Sequence, residues 1–201
     1  MAKNEPRVGD QRPGGRAARV RTDVLEAAFA LLGEVGYEQL SMEAIAKKAG
    51  VHKTTVYRRW PTKAELVLDA TRTHSEQNIP IPDTGSLHGD LVQLARGVVA
   101  TIGSEPGSRR SLSIVAAAAA SADLTAALHT FWAERLTATA PIVERAIERG
   151  ELPASSDPTV IIETLIGPLW IRLLLTGEAI DDDLAGRVAD LVSAGARHQR
   201  P

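Results

Sequence analysis

The chain has 201 residues, 44% of them hydrophobic, 24% charged and 3% aromatic, with a formal net charge of −2. That supplies a core, and the Ala- and Leu-rich composition with few β-branched runs favours helix over sheet. The chain has no cysteine, which excludes disulfides, thiolate metal sites and cysteine nucleophiles and makes a reducing cytoplasm the expected setting.

Residues 1–21 are rich in Gly, Pro and Arg without hydrophobic periodicity, so a flexible basic arm is expected. Its Arg12, Arg16, Arg19 and Arg21 either enter a narrow minor groove or stay idle. Thr22 is the expected cap of a first helix. Asp23 and Glu26 then fall in the first turn, and Val24, Ala27, Ala28, Leu31, Leu32 and Val35 form a stripe that Gly36 ends. Ser41 caps a short second helix with Ile45, Ala46 and Ala49 inside, and Gly50 closes it. A third runs from about His52 to Arg59. Pro61 and Thr62 restart the chain as a fourth, to about Gln77. The stretch NIPIPDTGS (78–86) cannot be helical.

Five further helices are expected near 87–102, 109–120, 122–149, 158–176 and 183–197. Asp157-Pro158 is a start signal, and Pro141 and Gly167-Pro168 are expected kinks. No segment alternates as a strand. The expected class is therefore all-α, about nine helices. The apolar run Leu165 to Leu175 is bounded by Glu163 and broken by Arg172, short of the ~20 residues of a membrane span. A buried helix is expected there, with no membrane partner, and the polar N-terminus has no signal-peptide core.

The net charge hides an asymmetry. Residues 1–63 carry 12 Lys and Arg against 7 Asp and Glu, whereas residues 64–201 carry 11 against 18. A basic head on an acidic body suits a head that meets a polyanion. The basic residues concentrate in VHKTTVYRRWPTKAEL (51–66), where Lys53, Arg58, Arg59 and Lys63 precede any acid. Two short helices around Ala49-Gly50-Val51 fit a helix-turn-helix, whose second helix enters the major groove of double-stranded DNA. Thr54 and Thr55 are small and carry hydroxyls, and Lys53 reaches a base edge or a phosphate. Val56 would point inward. Arg58, Arg59 and Lys63 would neutralise phosphates. Tyr57 and Trp60 either present polar tips to the backbone or are plain core aromatics.

The stretch VLEAAFALLGEVGYEQLSMEAIAKKAGVHKTTVYRRWPTKAEL (24–66) resembles the DNA-binding domain of the TetR family of transcriptional regulators. It has the paired alanines, Gly36-Tyr37, the Ser41 cap, Ile-Ala-x-x-Ala-Gly-Val at 45–51, Thr-x-Tyr, and the close from Trp60 to Leu66. The matching stretch is about a fifth of the chain. The resemblance implies a three-helix DNA-binding domain at 22–66. A larger helical domain at 67–201 would dimerise through its last two helices and hold an unknown small-molecule effector. Carried over, base contacts fall to Lys53, Thr54 and Thr55, and phosphate contacts to Ser41, Tyr57, Arg58, Arg59, Trp60 and Lys63. Three departures stand out. His52 replaces a usual Ser at the helix cap, Arg59 a common His, and Met42 a frequent Val or Thr. The tail, with LPASSDP, GPLWIRLLLTGE and LAGRVADLV, is similar to one actinobacterial-style branch.

Ile162, Leu165, Leu169 and Leu173, with Leu184, Val188, Leu191 and Val192, exceed what two helices bury on one face. A four-helix homodimer interface would absorb the surplus; a monomer core is the alternative. His88, His129, Phe131, Trp132 and Trp170 either line an effector pocket or are ordinary core. The histidines lack metal-ligand spacing, and no cofactor is expected. Without a nucleophile elbow, phosphate loop or spaced carboxylate pair, a small helical hydrolase is a remote alternative. The nearer one is a nucleoid-type protein binding DNA without sequence preference. The expected function is a homodimeric repressor on a palindromic operator, released by its effector.

Overall fold

The computed structural model describes residues 15–197. Nine α-helices account for the regular structure among them: α1 (Arg16–Gln39), α2 (Met42–Lys48), α3 (Lys53–Arg59), α4 (Lys63–Asn78), α5 (Leu87–Ile102), α6 (Glu105–Ala118), α7 (Ala122–Glu148), α8 (Pro158–Ile171) and α9 (Asp182–Ala196). Side-chain caps explain most of the starts. The hydroxyls or carboxylates of Ser41, Thr62, Ser86, Ser104, Ser121, Asp157 and Asp181 each accept a backbone N–H of the helix they precede. Each cap contributes about 1 kcal/mol.

Three starts or ends depart from expectation. First, α1 begins at Arg16, six residues before Thr22. Ala18 and Arg19 bond back to the Gly15 carbonyl, and the Thr22 hydroxyl donates to the Ala18 carbonyl instead of capping. Arg16, Arg19 and Arg21 are thus helical, while Arg12 lies outside the described residues. Second, α6 begins at Glu105 because Ser104 caps it and Pro106 sits in its first turn, where no N–H is needed. Third, α8 runs through Pro168 and widens into a π turn at Arg172–Thr176, which Gly177 closes at φ 67°. Pro168 has no N–H for the Thr164 carbonyl, so the ladder is already interrupted before the turn widens.

Two apolar clusters are joined through α4, which packs in the first, and Ile79 just past its end, which packs in the second. Val24, Ala28, Leu32, Ile45, Val56 and Leu66 centre the head cluster, which also takes in Ile114, Leu124 and Phe131 of the body. The second cluster holds Leu87, Leu91, Ile142, Leu165, Leu169 and Ala185, among others. The head is tied to α6. Arg109 Nη1 donates to the Glu34 carbonyl at 2.8 Å, and Arg110 sits 4.1 Å over the Phe29 ring. Phe29 stacks on His74 of α4 at 3.8 Å. Burial first, and then the charge of Arg110, lowers the His74 pKa. The linker after α4 is tied down too. Fully buried Asp90 accepts from the Thr84 N–H at 2.6 Å and its hydroxyl at 2.8 Å, and Glu151 accepts the Leu87 N–H at 3.0 Å.

The stretch Pro158–Thr176 is long and apolar enough to cross a membrane. Its inner stripe of Ile161, Ile162, Leu165 and Leu169 is buried within the subunit. So are Leu184, Val188 and Val192 of α9. Six of the eight residues expected at a dimer face are therefore spent on the subunit's own core, because the strongest helical stripe faces its nearest neighbours. Leu173 is half-buried, and only Leu191 projects outward, 74% exposed. The apolar surplus lies elsewhere: Val160, Ile171, Leu174 and Leu175 are exposed, Leu175 at 80%.

At the α5–α6 corner, Gly107 admits no side chain. A Cβ there would lie 1.9 Å from the Thr101 carbonyl oxygen. Gly107→Ala should therefore destabilise the fold by about 2–4 kcal/mol, read as a lowered midpoint in urea unfolding. An unchanged midpoint would contradict this packing.

Candidate nucleic-acid interface

The turn between α2 and α3 is set by Gly50, at φ 66°. The Val51 N–H bonds back to the Ala46 carbonyl at 3.0 Å and the Gly50 N–H to the Lys47 carbonyl at 3.2 Å, which closes α2. Any residue with a Cβ is strained there. Ser41 holds the other end of α2, its hydroxyl accepting the Ala44 N–H at 3.1 Å.

Helix α3 buries one side chain, Val56. Lys53, Thr54, Tyr57, Arg58 and Arg59 are exposed, and Thr55 is half-buried at the edge. The helix therefore lies on the outside of the fold and displays its cations and hydroxyls. His52 gives it no side-chain cap. The Tyr57 hydroxyl donates to Glu43 of α2 at 3.2 Å, so an acid already holds this phenol near the exposed face.

Two residues expected on the phosphate surface are occupied elsewhere. Trp60 is buried, and its indole N–H donates to Asp69 Oδ2 at 2.9 Å. Asp69 also takes Arg21 Nη2 at 2.6 Å. Lys63 is half-buried, donating to the Tyr37 carbonyl at 2.8 Å with its Nζ 4.2 Å from the Tyr37 ring. An aromatic among cations is ambiguous in sequence; the part-buried partner Asp69, nine residues on, decides that Trp60 is internal. No local pattern pointed to Asp69, or to Glu43 beside Tyr57. Beside α3, the start of α1 brings Arg16 and Arg21 to a groove shared with His52, Thr55, Arg58 and Arg59.

The body holds a separate cavity of about 120 Å³ walled by α4, α5, α6, α7 and α8. On α7 the wall is Leu128, Phe131, Trp132, Arg135, Leu136 and Thr139, a regular helical stripe. Of the five expected pocket residues, Phe131, Trp132 and Trp170 line it. His129 is off the stripe and exposed. His88 lies at the surface, its Nε2 2.8 Å from Asp190 of α9. Arg135 was missed because an arginine inside a helical stripe reads as a surface position.

The match to known proteins spans both parts. Residues 24–70 match the family model for bacterial regulatory proteins of the tetR family, and residues 81–192 that for the tetracyclin repressor-like C-terminal domain. The HTH-type transcriptional regulator AqdR of Rhodococcus erythropolis is 34% identical over 95% of this chain and 92% of its own. The DNA-binding transcriptional repressor TetR of Mycobacteroides abscessus is 32% identical over 87% and 94%. The crystal structure of the TetR family regulator SCO0332 superposes with a TM-score of 0.76 at 32% identity, over 91% of this chain and all of that one. The fold recurs at 18% identity in FadR of Bacillus subtilis, solved in complex with stearoyl-CoA, with a TM-score of 0.68 over 87% and 98%. The chain belongs to the TetR family of transcriptional regulators.

Proposed function

We propose that this regulator is a cytoplasmic homodimeric repressor that holds a palindromic operator and leaves it when a small molecule fills the body cavity. The observation that carries the reading is α3: one buried residue anchors it, and its cations and hydroxyls face outward. In the proposed contact set, Lys53, Thr54 and Thr55 read bases, and Ser41, Tyr57, Arg58 and Arg59 meet phosphates. Trp60 and Lys63 position α3 and the start of α4 from inside. Two copies of α3 must reach half-sites ~34–36 Å apart, or a multiple of that.

Val160, Thr164, Ile171 and Leu175 recur at helical spacing on the exposed side of α8 and its π turn, and Leu191 projects from α9. This face, not the buried stripe, is the proposed dimer contact. Three positions of α4, namely Leu68, Thr71 and Ser75, and Ile79 just past its end line the cavity, and α4 begins where α3 ends. A ligand with different affinities for two positions of α4 would shift the spacing of the heads and so the operator affinity.

Selecting DNA fragments with the purified protein tests the whole reading. A palindrome preferred over random duplex by roughly a thousandfold is expected; equal affinity for all duplexes would sink it. Lys53→Ala should flatten base preference at one position of each half-site, costing about 1–3 kcal/mol. Arg58→Ala should weaken all duplexes alike and reduce the salt slope by about 1 per subunit. Trp60→Phe should lower stability by about 1–2 kcal/mol while leaving the salt slope where it was; a changed slope would return Trp60 to the phosphate list. Leu175→Glu combined with Leu191→Glu should give a monomer by light scattering, and a double variant that stays dimeric would rule out this face.

A further inference from the structure

Two side chains that line the body cavity have little to donate to. Trp170 Nε1 is sealed from solvent and has no hydrogen-bond partner. Arg135 brings its guanidinium into the same cavity, and its one hydrogen bond is a long 3.5 Å contact to the Ile79 carbonyl. Among the described residues no carboxylate bridges it; Glu76, exposed on α4, acts on it only through space. Burial lowers the Arg135 pKa from the usual arginine value, yet arginine keeps its charge in any protein setting. Arg135 is half-buried, and its guanidinium has neither a carboxylate in contact nor a short hydrogen bond, so an anion in the cavity would gain charge-assisted bonds there.

The rest of the wall is apolar and shaped by rings. Phe131 meets Trp132 edge-on at 5.5 Å, and Trp132 meets Trp170 edge-on at 5.3 Å. The enclosed volume of about 120 Å³ compares with the ~150 Å³ of an apolar cavity that takes up benzene. It suits one ring, not a long chain. Past Trp132 and Trp170 the cavity opens onto a groove of about 330 Å³ that shares Leu136 and Ile166 with it. Arg135 lines the cavity and not the groove, whereas Trp132 and Trp170 line both. A purely apolar ligand would offer Arg135 no acceptor.

Resting on the effector-pocket reading, we propose that the cavity takes a ring-bearing organic acid, its carboxylate held by Arg135 and its ring against Phe131, Trp132 and Trp170. Arg135 is the specificity-determining residue, because a carboxylate accepts two N–H bonds from a guanidinium where a neutral amide accepts fewer and weaker ones. The aromatic edges favour a flat ring over a flexible chain, which would lose more rotational freedom in so small a space.

Calorimetry on the full chain with three probes tests this: 4-acetylbenzoate, its neutral analogue 4-acetylbenzamide, and octanoate. The aryl acid should bind at least about tenfold more tightly than either of the others, the scale of a charge-assisted hydrogen bond. Arg135→Gln should bring acid and amide level, whereas Arg135→Lys, which keeps the charge, should retain part of the preference. Equal binding of acid and amide to the unaltered chain would overturn the proposal, as would octanoate binding as tightly, or no binding by any probe. Operator release, measured in parallel, separates this from the reading beneath it. Acid-selective binding without release supports the ligand class and sinks the effector role. Release by acid and amide alike sinks the ligand class and leaves the effector role standing.

Discussion

Everything functional in the head depends on holding a seven-residue helix that cannot hold itself. Helices this short are marginal on their own in water, and α3 buries only Val56. Two constraints outside α3 fix it. At its start, Gly50 takes a left-handed conformation that turns the chain out of α2. At its end, Trp60 goes into the core and its indole N–H is locked to Asp69, which Arg21 holds from α1. Three elements therefore converge on one carboxylate directly behind the exposed face. The exposed residues of α3 are free to meet DNA because the burden of anchoring has been moved to its two ends.

The same carboxylate sits on α4, which packs in the head core and leads into the body core. Leu66, Val67 and Leu68 pack with the head, while Ile79, just past the helix, packs with the body. No flexible joint separates the parts, since the apolar cluster of the head runs on into Ile114, Leu124 and Phe131. A boundary drawn at residue 66 describes the sequence motif better than it describes the packing. The exposed cationic surface and the walled cavity are thus two faces of one continuous structure.

Helix number and most boundaries were legible in the sequence because caps and breakers are local. Ser41, Thr62 and Asp157 announce themselves by type and position, and the structure uses each as a cap. The start of α1 was not legible, since Arg- and Ala-rich residues after a Gly-Gly pair give no periodic stripe until tertiary contacts form. What an apolar residue faces was the least legible feature. Ile162, Leu165 and Leu169 look like surplus in one dimension and turn out to be this subunit's own core. The roles of Arg21, Asp69 and Arg135 depend on partners 9 to 56 residues away, and no local pattern carries such pairings.

The tie between α1 and α6 limits how the head can move. Arg109 holds the Glu34 carbonyl, Arg110 lies on Phe29, and Phe29 lies on His74 of α4. A head that swung with α4 alone would have to break the α6 contacts, so α4 and α6 must shift together or the sandwich must part. Both helices line the cavity, α4 through Thr71 and Ser75 and α6 through Ser111, Ile114 and Val115. A ligand in that space touches the two supports of the DNA-binding head at once. Under the proposed effector reading, a ring-sized occupant would act by changing the separation of α4 and α6, and the Arg110–Phe29–His74 stack would pass that change to α1.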